Sequence, residues 1–329
     1  MGDLAGLPPM RTKVMGKTGL EVSIVAIGGG RVGWSKDRPI DDEIGMRTIW
    51  TALEAGTALI DTAPGYMQGR SERIIGRALR ERPDLAEGVL VTTKIGHPVP
   101  EFDYSFDQTM RSVEFSIENL KRDHFPILYV HDPTLDDFDR VMGREPGEPG
   151  TLGALRKLKE QGVVDNIGVG INNPRVNEVF IETGEFDCSL VPECYSLMNQ
   201  YGLKRIFPAA ERYGMGIATA EALEKGFLAL GVRPNIEHRD RQFSPESLAN
   251  TKRIQDLCAH YGISLAAAAV QYPVRHPQVH TTIVGARTPE QARQNILAAR
   301  ERIPEDFWTE VQPLIRHWDL GAGDRPQTA

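Results

Sequence analysis

The sequence predicts an α/β protein of the (β/α)8 TIM-barrel class, entered through an N-terminal β-hairpin. Three observations carry that prediction. Strand-like and helix-like runs alternate eight times along 329 residues, whereas an open doubly wound sheet more often has about five to seven strands. Asp61, Lys94 and His131 each close a strand-like run, and Tyr66 follows Asp61 by one short loop. If the strands are parallel, all four gather on one carboxyl-end face. Finally, Lys17-Thr18-Gly19 interrupts two short extended runs in residues 11–27, which reads as a hairpin placed before the repeat begins.

Each element has its own signal. Strand one ends at Ile27 and enters Gly28-Gly29-Gly30; this run lacks the GxGxxG spacing of a dinucleotide-binding loop. Residues 41–55 form a helix with Asp41 and Asp42 at its start. Strand two is 58–61, and its helix, 71–82, is stopped by Pro83. Strand three (89–94) leads to a helix at 107–122. Strand four (126–131) leads to a long loop, 132–150, rich in Asp, Gly and Pro. The helix 152–161 ends at Gly162, which suits a left-handed cap. Strand five is 166–170, with Pro174 opening its helix. Strand six (187–192) precedes a helix at 199–212, and strand seven is 216–220. A second long loop, 221–245, precedes helices at 246–261 and 265–272. Strand eight is 280–284, its helix 289–300, and a last amphipathic helix covers 305–318. No internal boundary interrupts this order, so one domain spans 1–329, with flexible tails at 1–10 and 320–329.

Composition narrows the function classes. With 40% hydrophobic and 25% charged residues, the chain reads as a soluble globular protein. Its net charge of −7 gives no reason to expect nucleic acid or an anionic membrane surface as partner. No apolar run reaches the roughly 18 residues of a spanning helix. Cys188, Cys194 and Cys258 are too scattered for a disulfide framework and suggest a reducing compartment. Residues 1–10 lack the apolar core of a signal peptide, so the cytoplasm is the expected location.

The four rim residues suggest proton transfer. A tyrosine near pKa 10 is a weak acid at neutral pH, and a nearby ammonium is expected to bring it down. Asp61 would hold that ammonium on Lys94, and the His131 imidazole could orient a substrate oxygen. A phenolic proton donor with an imidazole suits carbonyl reduction or alcohol oxidation, but hydride must come from a carrier. Singly, each residue has a plainer reading: an aspartate after a strand often caps a helix, and a rim lysine can snorkel to solvent. Together, at strand ends in order, they point to a site. The histidines show no metal-binding spacing, so no metal is expected.

Ile60-Asp61-Thr62-Ala63-Pro64-Gly65-Tyr66, followed by Ser71-Glu72, resembles the "DTAxxYGxSE" signature of the aldo-keto reductases. Thr93-Lys94, His131, Ile167-Gly168-Val169 and Gly285-Ala286-Arg287-Thr288 with Gln291 and Asn295 resemble that family's later motifs, in order. The resemblance implies a hairpin-capped barrel with NADP or NAD bound extended across the carboxyl face. It makes Tyr66 the general acid/base, Lys94 and Asp61 its tuning pair, and His131 the substrate-orienting residue. It implies cofactor contacts from Gly29, Gly30, Asp61, Asn172, Leu223, Gly285, Arg287, Gln291 and Asn295. Trp34, Tyr66, His131 and Asp132 would meet a small-molecule substrate.

Within the family, His131-Asp132-Pro133 and Gly168-Val169-Gly170-Ile171-Asn172 resemble the aldose 1-dehydrogenases (D-threo-aldose, galactose and fucose dehydrogenases) and pyridoxal-oxidising members. Such enzymes oxidise a hemiacetal carbon to a lactone. Some positions depart from the common pattern: Pro192 replaces a glutamine and Ala220 an aromatic ring. Asn172 alone is left to hold the nicotinamide carboxamide. Gln291 stands at an arginine position, leaving Arg287 as the phosphate partner, which opens the site to NAD as well as NADP. The alternatives are a general NADPH-dependent aldehyde/ketone reductase and, in another class, a non-catalytic cofactor-sensing partner subunit. The intact set of four argues against the latter.

Overall fold

A computed structural model describes residues 7–35, 41–96, 102–233 and 243–315. Strands β1 (Thr12–Val14) and β2 (Glu21–Ser23) form an antiparallel hairpin. Then β3 (Val25–Gly28), β4 (Leu59–Asp61), β5 (Leu90–Ile95), β6 (Phe125–His131), β7 (Val164–Gly170), β8 (Cys188–Pro192), β9 (Gly216–Ala220) and β10 (Thr281–Gly285) follow. All eight pair in parallel, and β10 closes the barrel against both β3 and β9.

Strand parity fills the barrel. Ala26, Leu59, Ile127, Tyr129, Cys188, Leu190, Ala218 and Ile283 pack together inside it, one from every second position of their strands. Two residues beyond Leu59 is Asp61, four beyond Leu90 is Lys94, and four beyond Ile127 is His131. The alternation that puts apolar side chains in the lower layers therefore aims these three inward at the top layer. Gly168 is part of this fit, because a Cβ there would lie 2.6 Å from the Tyr129 ring. The opposite parity packs against the helical shell in a much larger apolar cluster.

The hairpin plugs the other end. Met15 and Val22 join the interior cluster, and Lys13 Nζ donates to the carbonyls of Val274 and Val279 at 2.7 Å and of His276 at 3.2 Å. An ammonium there meets the partial negative charge where the helix Leu265–Arg275 ends. Among the described residues, six helices around the barrel start where a side chain accepts a backbone N–H, at Asp41, Ser105, Asn173, Ser244, Ser264 and Thr288.

Differences from the sequence expectation concern the connections. Pro83 ends one helix but starts a short new one, Pro83–Ala86, since proline suits a first helical turn. The helix expected at 199–212 is confined to Ile206–Arg212 after a 3-10 turn, Tyr201–Leu203. The loop 132–150 holds the helical turn Phe138–Val141, and the loop 221–245 holds Phe227–Leu230. Residues 234–242 of that second loop, residues 316–318 of the last expected helix, and residues 1–6 and 320–329 of the expected tails lie outside the described residues. Within the amino-terminal stretch, the Arg300 guanidinium donates to Pro8 O at 2.8 Å and Leu7 O at 3.4 Å.

Candidate active site

The carboxyl face brings Asp61, Tyr66, Lys94 and His131 together. Lys94 Nζ donates to Asp61 Oδ2 at 2.6 Å and to Thr62 O at 2.7 Å, and Thr92 Oγ1 donates to Asp61 Oδ1 at 3.0 Å. Both side chains of the pair are almost sealed from solvent, at 1% and 4% exposure. The Tyr66 ring lies over the ammonium, 4.8 Å from Nζ to centroid. His131 meets the same ring edge-on at 5.7 Å, and its carbonyl accepts from Tyr104 Oη at 2.8 Å.

Burial dominates the acidity of this cluster. Desolvation alone would depress the Lys94 ammonium, but Asp61 and the Tyr66 phenol outweigh it and leave lysine above its ordinary value. The phenol behaves otherwise than expected. Burial raises Tyr66 more than Lys94 lowers it, and Asp61 adds to the rise. Net, the phenol is a weaker acid than free tyrosine, so it is held protonated.

Backbone strain gathers at the same face. Met67, Gln68, Asp132, Glu193, Glu221, Glu224 and Lys225 all have positive φ and sit in loops that follow β4, β6, β8 and β9. Such conformations cost a non-glycine residue on the order of 1–3 kcal/mol and concentrate where loops build sites.

The other cofactor candidates lie at or beyond the ends of β3, β7, β9 and β10. Gly30 faces the Tyr66 ring, which a Cβ there would meet at 3.7 Å, while a Cβ on Gly285 would stand in open space. Gly29 is instead committed to packing: its N–H donates to Asp61 O, and a Cβ would strike Ser71 Oγ at 2.7 Å. Asn295 Nδ2 donates to Gly285 O at 2.9 Å, and Gln291 Oε1 accepts from Arg287 N at 3.0 Å. Those two amides thus shape the loop after β10. Leu223 packs on the core, and its carbonyl accepts from Gly226 and Leu228 in the turn after β9.

Two of the substrate candidates have other partners. The Trp34 ring has two guanidinium groups over it, Arg31 at 5.2 Å and Arg287 at 4.9 Å from its centroid. Asp132 accepts from Asn172 through both carboxylate oxygens.

This donor set fits an extended anionic dinucleotide. Two guanidinium groups and the Thr288-capped helix Pro289–Ala298 offer positive charge. Gly30 and Gly285 leave the backbone approachable, and among described residues nothing donates to Asn172 Oδ1.

Ser71 and Glu72, noted in the sequence only as part of a signature, form the support behind this face. Ser71 Oγ bonds Thr62 Oγ1 and donates to Gly29 O, both at 2.8 Å. Buried Glu72 accepts from Thr93 Oγ1 at 2.7 Å and from Asn119 Nδ2 at 3.3 Å. The signal was present in the spacing: Glu72 shares the buried helical face of Ile75 and Leu79.

The profile of the family described as Aldo/keto reductase family matches residues 25–316. The chain is 31% identical to a pyridoxal 4-dehydrogenase of Microbacterium luteolum, over 91% of this chain and 96% of that protein. It is 28% identical to a D-threo-aldose 1-dehydrogenase of a Pseudomonas species, over 89% and 94%. Its fold superposes on an aldo-keto reductase from Bacillus halodurans solved in its holo form, with a TM-score of 0.76, 22% identity and coverage of 96% and 100%.

Proposed function

The chain belongs to the aldo/keto reductase family, and from that premise we propose that it exchanges a hydride between a nicotinamide dinucleotide and C1 of an aldose or a similarly small aldehyde or alcohol. Oxidoreductase activity with NAD or NADP follows from the family; the substrate class and the residue roles are the proposal. One observation carries it: a sealed Asp61–Lys94 pair set under the Tyr66 ring, with His131 at that ring's edge.

A bound nicotinamide supplies or accepts the hydride that no side chain can. Tyr66 Oη handles the proton, giving it to a carbonyl oxygen in reduction and taking it from a hydroxyl in oxidation. Lys94 pulls the phenol toward ionisation against the effect of burial, and Asp61 holds the ammonium at that post. His131 orients the substrate oxygen. Gly30, Asn172, Gly285 and Arg287 hold the dinucleotide, while Gln291 and Asn295 keep the loop around Gly285–Arg287 in shape.

The D-threo-aldose 1-dehydrogenase relative supports a sugar substrate. In the opposite direction, reduction of an aldehyde or ketone, the protonated Tyr66 phenol is the proton donor. Purified protein offered NAD or NADP with a panel of aldoses, and NADH or NADPH with a panel of aldehydes, tests both. Turnover of an aldose with an oxidised cofactor is expected. Cofactor binding without turnover in either direction would abandon the enzymatic roles in favour of a cofactor-sensing subunit.

A further inference from the structure

Asp132 follows His131 at the end of β6, and its N–H donates to Gly170 O at 3.0 Å, extending the ladder to β7 by one bond. There the backbone turns left-handed, with φ of 48°, a conformation that short polar residues tolerate better than most. The turn carries the carboxylate over the end of β7. Oδ1 accepts from Asn172 N at 2.7 Å, and Oδ2 accepts from Asn172 Nδ2 at 2.6 Å. The same Oδ2 stands 3.7 Å from His131 Nε2. One carboxylate therefore bridges the two strand ends that hold the imidazole and the amide.

That bridge decides which way the Asn172 amide faces. Turned over, its carbonyl oxygen would oppose Asp132 Oδ2, two acceptors with no proton between them. The –NH2 group is therefore held toward Asp132 and Oδ1 is directed elsewhere; no described residue donates to it. Both charge-assisted bonds are of the stronger kind, and their lengths leave little freedom for the amide.

We propose that Asp132 is a positioning residue: it locks Asn172 as a hydrogen-bond acceptor, so that Asn172 Oδ1 receives an N–H of the nicotinamide carboxamide. The proposal rests on the reading that a nicotinamide dinucleotide lies across this face. It makes the site selective for a pyridine ring carrying an amide, through a residue that itself need not touch the cofactor.

The test compares NAD with its 3-acetylpyridine analogue, which lacks the amide N–H, and with ADP-ribose, which lacks the pyridine ring. Affinities come from quenching of tryptophan fluorescence. The wild-type chain is expected to prefer NAD over the analogue by about tenfold, the effect of one hydrogen bond and its unpaired partner. Asp132→Asn presents an amide N–H to Asn172 and turns it over. It is expected to weaken NAD about tenfold while leaving the analogue and ADP-ribose bound as before. Equal loss for all three ligands, or no loss for NAD, overturns the role assigned to Asp132 while leaving the proposed function intact. A wild-type chain that binds none of the three would remove the parent reading and this one together.

Discussion

Thr93 Oγ1 donates to Glu72 Oε1 at 2.7 Å on the outer wall of the barrel, one residue before the inward-facing Lys94. Glu72 is fully buried, and burial raises its carboxyl above the ordinary range despite the bonds from Thr93 and Asn119. A raised acid stabilises the fold when protonated. Its contribution is present below the unfolded-state value and declines as pH rises through the higher folded-state value. Glu72→Gln should therefore flatten the pH dependence of stability. The melting temperature of the variant relative to wild type should improve from pH 5 to pH 8; a constant difference would show that Glu72 does not titrate in this way.

Tyr66→Phe keeps the ring over Lys94 and removes the proton. Turnover should fall by about 10²–10⁴, the usual range for a general acid or base, with dinucleotide affinity unchanged in a fluorescence titration. Comparable turnover in the variant would exclude Tyr66 from the chemistry.

Lys94→Met strands the Asp61 carboxylate in a sealed site. Leaving one member of a buried ion pair typically costs about 3–5 kcal/mol, and Lys94→Met combined with Asp61→Asn should recover much of it, as read by urea denaturation. Because Lys94 lowers the Tyr66 phenol, its loss should also move the alkaline limb of the rate profile to higher pH. An unmoved limb in an active variant would mean that lysine does not tune the phenol.

Gly168→Ala pushes a methyl group to within 2.6 Å of the Tyr129 ring and 2.8 Å of Cys188 Sγ. Overpacking of that kind costs about 1–3 kcal/mol. Gly285→Ala meets open space and should leave stability as it is. The pair of urea midpoints checks both; equal midpoints would mean that the interior relaxes around the added methyl.

How far the sequence reaches is set by the range of the forces involved. The barrel strands and their order along the chain follow from eight alternating strand-like and helix-like runs, and Asp61, Lys94 and His131 are legible from their places at strand ends. Their inward aim emerged from the structure, where Asp61 and Lys94 continue the parity of Leu59 and Leu90 in the interior cluster. Short connections were harder to place. Around Pro83 and Tyr201, a turn of helix forms or fails according to what packs beneath it, and local propensity decides little.

Three features of the site depended on the assembled molecule. Trp34 meets Arg287 across more than 250 positions of chain because closing the barrel brings the first and eighth strands side by side. Asp132 reaches Asn172 because β6 and β7 are neighbours and the backbone between them turns left-handed. Tyr66 is a weaker acid than a lysine neighbour alone would make it, since the penalty for ionising in a sealed cluster scales with everything packed around the phenol. Residue identity and order determined which groups could ionise and at which strand ends they stand. Only the closed structure, by excluding water, decided how readily they do so and which partners they hold.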